Sequence, residues 1–77
     1  MIPKLNRKVI AQARVIAKGK RIRRVHWLVA RYGGRASKWV KMSSAVFEIE
    51  GRLFEYHWYE HPGIGRFELK RVAVPEA

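Results

Sequence analysis

The stretch Ala45–Val74, AVFEIEGRLFEYHWYEHPGIGRFELKRVAV, decides the fold. Residues 45–50, 52–60 and 65–74 are rich in aromatic and β-branched side chains and largely alternate, which is the period of a strand. Glu50-Gly51 reads as a tight turn between the first two segments, and His61-Pro62-Gly63 as a turn between the second and third. Lys38–Met42 adds a short fourth strand. Alternation puts Phe47 and Ile49 on one face, with Phe54, Tyr56 and Trp58 of the next strand and Phe67 and Leu69 of the last. A two-residue loop at Glu50-Gly51 sets Phe47 opposite Phe54. A two- or four-residue loop around Pro62-Gly63 sets Trp58 opposite Phe67 and keeps the apolar faces together. A five-residue loop would carry Phe67 to the side of His57 and bury charge against aromatics.

Upstream of this stretch the period changes to that of a helix. Leu5, Val9, Ala13, Ile16 and Ala17 recur at three- and four-residue spacing, which predicts a helix over 4–18 started by Pro3. Ile22, Val25, Leu28, Val29 and Tyr32 form one stripe of a second helix over 20–32. Gly33-Gly34 stops it, because glycine takes left-handed backbone without a Cβ penalty. The expected fold is α+β. Two N-terminal helices pack on one face of a three- to four-stranded antiparallel sheet. At 77 residues the chain makes one domain, 1–77, with a basic helical part at 1–34 and a sheet part at 35–77.

Seventeen Lys and Arg stand against six acids, a formal net charge of +11. Residues 1–45 hold thirteen of the basic residues and no acid, and residues 46–77 hold the other four with all six glutamates. Such a field gathers polyanions. Lys20, Arg21, Arg23 and Arg24 form a dense cluster suited to an RNA backbone. Cysteine is absent, which excludes disulfides and thiolate metal sites. No apolar run has the length of a membrane span or of a signal-peptide core, so neither membrane insertion nor a cleaved leader is expected.

The sheet face away from the aromatics collects Glu48, Glu55, His57, Tyr59, Arg66, Glu68 and Lys70. A solvated face is the ordinary role of such a surface. An imidazole, a phenol, carboxylates and cations together are also what phosphodiester cleavage needs: a base, an acid, and positive charge for the oxygens. His61 follows His57 by four residues, but a strand end gives that spacing no ligand geometry, so neither a metal nor another cofactor is expected.

Four segments carry a family resemblance: Tyr32-Gly33-Gly34, Lys38-Trp39-Val40-Lys41-Met42, His57-Trp58-Tyr59-Glu60 and Gly65-Arg66-Phe67-Glu68-Leu69-Lys70. In this order they resemble the C-terminal toxin domains of bacterial polymorphic toxins, ribonucleases of the barnase–EndoU–colicin–RelE-like group. The resemblance covers about residues 20–72. It implies helices followed by an antiparallel sheet with the active site on the exposed sheet face. It implies metal-independent RNA cleavage, and an acidic immunity protein or antitoxin as partner. It also implies action in the bacterial cytoplasm, either after delivery from another cell as part of a larger toxin or as a stand-alone relative such as a phage or toxin–antitoxin protein.

On that footing His57 takes the proton of a ribose 2′-OH, whose oxygen attacks the phosphorus and leaves a cyclic phosphate. Tyr59 donates to the leaving oxygen or orients the phosphate. Lys70 and Arg66 bind the phosphate from the neighbouring strand. Glu55 orients the imidazole or is itself the base. Lys38 and Lys41 flank Trp39 in the family-like segment and contact phosphate, and Trp39 is open to stacking on a base. Glu60 and Trp58 are read as structural. The alternatives left open are a non-catalytic basic nucleic-acid-binding module and a small phage-type inhibitor of an acidic protein.

Overall fold

The computed structural model describes residues 5–75; the expected helix start at Pro3 and Lys4 lies outside them. Asn6 caps a short helix α1 (Arg7–Ala11) by accepting a hydrogen bond from the Val9 amide at 2.9 Å. The chain then extends into strand β1 (Arg14–Lys18), turns through Gly19–Arg21, and enters helix α2 (Val25–Tyr32). A second single turn, Ala36–Lys38, leads to β2 (Val40–Ser43), β3 (Phe47–Ile49), β4 (Arg52–His61) and β5 (Gly65–Ala73). The fold is α+β with one five-stranded antiparallel sheet.

β4 is the spine of the sheet. β5 pairs with it from Phe54 to His61. β2 and β3 share its other edge as two pieces of one ladder, and β1 adds outside β2. Between the two pieces Ser44 keeps the ladder satisfied. Its amide donates to the Tyr56 carbonyl and its hydroxyl accepts from the Tyr56 amide, both at 2.8 Å. Glu50 (φ 50°) and Gly51 (φ 80°) form the expected two-residue turn, which sets Phe47 opposite Phe54.

Two expectations change. The helix over 4–18 stops after five residues, and its second half is a strand. A single turn is too short to propagate unaided. The pair Val15-Ile16 favours extended backbone, and the edge of β2 is there to receive it. The supposed stripe breaks at Ile16, which is 40% exposed. Residues 1–34 therefore contribute a strand to the sheet, and the division into a helical and a sheet part is not kept. Instead of two helices covering the aromatic face, α2 alone covers part of the opposite face, the one that carries His57 and Tyr59 and was expected to be fully exposed. α1 borders a groove beside Phe47 and Tyr56.

The stripe of the second helix holds, although the helix begins at Val25. Ile22, Val25 and Leu28 are buried with Trp39, and Val29, Tyr32, Tyr59 and Phe67 pack around them. Gly33 ends α2 with φ 89° and a bond from its amide to the Val29 carbonyl. Gly34 (φ 78°) approaches the β4–β5 turn so closely that a Cβ there would sit 2.5 Å from His61 Nε2. No helix among the described residues is long and apolar enough to cross a membrane.

The β4–β5 register is the second correction. Pro62-Gly63-Ile64 make a three-residue loop, so Phe67 faces Tyr59, not Trp58. The odd loop turns residues 65–67 over. A bulge at Glu68, whose φ is 61°, then turns the rest of β5 back and sets Lys70 opposite His57. The gain is at Phe67, which stacks on Tyr32 of α2 with ring centroids 4.0 Å apart. The aromatic ring under the helix decides the parity of the loop.

Candidate nucleic-acid site

Alternation along β4 sends Glu55, His57 and Tyr59 to the face that α2 covers in part. Pairing then adds Lys41 beside Tyr59, Ser43 beside His57 from β2, and Lys70 beside His57 from β5. Tyr59 lies under the helix. At the start of α2 a cavity of about 160 Å³ opens over the sheet. Arg24, Lys41, His57, Tyr59, Glu68 and Lys70 line it. Arg24 is the residue that precedes α2, so the helix start delivers a third cation to the two lysines of the sheet.

His57 is half-buried, its side chain 15% exposed, and its Nε2 lies 3.0 Å from Glu55 Oε1. The other carboxylate oxygen takes an Arg14 guanidinium nitrogen at 3.4 Å. A carboxylate bonded to Nε2 fixes the tautomer that carries a proton there and leaves Nδ1 as the lone-pair nitrogen. Glu68 faces the same cavity but is tied down, accepting a hydrogen bond from the Tyr32 hydroxyl. Three cations thus surround one imidazole, with the two nearby carboxylates already engaged. Among the described residues no three His, Asp or Glu side chains converge as a metal site would need.

The hydrogen bond from His57, with smaller help from Ser43 and Arg14, lowers the Glu55 pKa below the ordinary carboxylate value. Its sign sets a pH dependence. The carboxylate stabilises the fold above its unfolded value, and that contribution is lost as the pH falls through the lowered folded value. Glu55→Gln is expected to lower the melting temperature at neutral pH and to flatten its fall on acidification. Thermal melts of both proteins across the carboxylate range check this; parallel curves would show that the pair stabilises nothing.

His57, Tyr59, Glu55, Lys70 and Lys41 are brought together, and Arg24, expected only in the basic cluster with Lys20, Arg21 and Arg23, joins them at the cavity. Arg66 does not. The odd loop puts it on the opposite face, where its Nε lies 3.3 Å from Glu60 Oε1, the atom that also accepts from Trp58 Nε1 at 2.9 Å. Trp39 is not open to a base either. It is fully buried, and its Nε1 donates to the Gly33 carbonyl at 3.0 Å. Lys20 and Arg21 sit beside the outer edge strand with Val15–Lys18, away from the cavity. Arg23 and Lys38 are exposed and do not line it. Arg14 was missed because it fell within the predicted helix, although the β-branched pair that follows it was the signal for a strand. The engagement of Glu68 by Tyr32 had no local signal, since it depends on the bulge. The chain matches no family model, no curated protein and no solved structure.

Proposed function

We propose that the protein is a metal-independent endoribonuclease toxin that cuts RNA by 2′-OH attack. The observation that carries this reading is the half-buried His57, bonded to Glu55 through Nε2, in a cavity lined by Arg24, Lys41 and Lys70. Nδ1 takes the 2′-OH proton as that oxygen bonds to phosphorus. The bond from phosphorus to the 5′ oxygen breaks, and the Tyr59 hydroxyl supplies the proton that oxygen needs. The product ends are a 2′,3′-cyclic phosphate and a 5′-OH. Lys41, Lys70 and Arg24 neutralise the phosphoryl oxygens where negative charge grows, in a site partly withdrawn from water. No step calls on a metal. Glu55 holds the ring in the useful tautomer, as a carboxylate does for many catalytic histidines.

Toxicity and a neutralising partner belong to the same reading. A net charge of +11 suits an acidic immunity protein or antitoxin laid over the cavity, with rapid, salt-dependent association. The site of action is then the bacterial cytoplasm, after delivery from another cell. A second reading is a non-catalytic nucleic-acid-binding module. The observation that favours it is the Arg14–Glu55–His57 chain of contacts, which would serve equally as a structural link between β1 and β4.

Incubation with total bacterial RNA in EDTA tests the proposal. The expected result is discrete fragments with cyclic-phosphate ends, and no cleavage of an oligonucleotide whose 2′ positions are deoxy. RNA that is bound and shifted but intact would establish the binding module. Fragments with 3′-OH ends, or cleavage of the deoxy substrate, would overturn the 2′-OH mechanism.

A further inference from the structure

Three tryptophans have two fates. Trp39 and Trp58 are fully buried, whereas Trp27 on α2 keeps 37% of its surface in solvent. An indole left outside loses the burial that usually justifies it. Its surroundings are cationic. The Arg24 guanidinium lies 4.1 Å from the Trp27 ring centroid and that of Arg31 lies 5.6 Å from it. Neither arginine is in an ion pair among the described residues. Tyr32 meets the indole edge-on, with centroids 6.0 Å apart, and its hydroxyl accepts from Arg31 Nε at 3.3 Å.

Two routes join this group to the cavity. Arg24 lines the cavity as well as covering the indole, and Tyr32 donates to Glu68 on the cavity wall. We infer that Trp27, flanked by Arg24 and Arg31, is a stacking platform for one unpaired nucleobase beside the phosphate held in the cavity. The inference rests on the reading that the cavity takes an RNA phosphate. A π-face supplies stacking that tolerates any base, and the arginines supply charge for the phosphates on either side. When Arg24 moves from the ring to a phosphate, it uncovers the face on which the base lies. A base inside a duplex is already stacked on its neighbours and cannot reach the ring. The substrate class is therefore single-stranded RNA, or a loop.

The test uses a short single-stranded 2′-O-methyl oligonucleotide, which cannot attack its own phosphates, and an abasic strand of the same length and charge. The base-bearing strand is expected to quench tryptophan fluorescence and to bind wild type roughly five- to a hundredfold tighter than the abasic strand, the span of base–aromatic stacking. Trp27→Leu keeps an apolar side chain without a π-face. It is expected to bind both strands with the affinity of wild type for the abasic one. Should Trp27→Leu lose its circular dichroism signal, Trp27→Phe serves, with an intermediate preference. Equal binding of the two strands by wild type, or a preference that survives in Trp27→Leu, overturns the platform and leaves the phosphate site standing. Failure of wild type to bind either strand overturns the phosphate site and the platform with it.

Discussion

Replacing His57 with alanine is expected to slow RNA cleavage by roughly 10²–10⁴-fold, the usual contribution of a positioned general base. Binding of the same RNA should hardly change. The cations at the cavity, Arg24, Lys41 and Lys70, are untouched by the substitution, and in the proposed complex they supply the attraction to the backbone. What is lost is the nitrogen proposed to take the 2′-OH proton. The ring is also the partner of Glu55, so the variant leaves a half-buried carboxylate with only Arg14 and Ser43 beside it. A melt of the variant therefore accompanies the assay, and cleavage is compared well below its melting temperature. Gel shifts and product mapping on one RNA check both halves of the prediction. Cleavage that survives at the wild-type rate would remove His57 from the mechanism and move the base to Glu55 or Tyr59. A parallel loss of binding would assign the ring to RNA contact.

The site and the sheet were legible to different degrees, for a physical reason. Glu55, His57 and Tyr59 lie on one strand, and period two alone places them together. Lys70 reached the expected face through two errors that cancel. The loop is odd where an even one was expected, and a bulge at Glu68 restores the parity. Nothing local in Gly65–Lys70 announces that bulge. Its reason is Phe67 stacking on Tyr32, a contact across 35 residues of sequence. Arg66 shows the other side of the same rule, since it lies on the wrong side of the bulge and so pairs with Glu60. The first helix failed differently. Alanines and long basic side chains favour a helix over 4–18, yet five residues of helix end where Val15 and Ile16 can close onto β2. Tertiary pairing outweighed local propensity there, which is common where a strand edge would otherwise lie open.

Trp39 carries the second large effect, on stability. The sequence left it open to a base, between Lys38 and Lys41. The structure buries it completely among Tyr32, Phe67 and His61, with centroids 6.0, 6.1 and 5.4 Å away. It joins the end of α2 to the start of β2, because its Nε1 donates to the Gly33 carbonyl at 3.0 Å. Trp39→Ala is expected to cost about 3–5 kcal/mol, the cost of emptying a large aromatic site. A chain this small has little to spare, so the loss should approach its whole stability. Denaturant titration should show the midpoint collapsing toward zero. Trp39→Phe keeps a ring in the core but strands the Gly33 carbonyl, and its loss should be smaller, about 1–3 kcal/mol. That variant separates the two roles a tryptophan between lysines can have. Folded Trp39→Phe should bind RNA as wild type does, because no face of the indole reaches the surface. A Trp39→Phe protein of near wild-type stability that binds RNA weakly would instead place this indole at the interface, and the packing of α2 on the sheet would need to open for it.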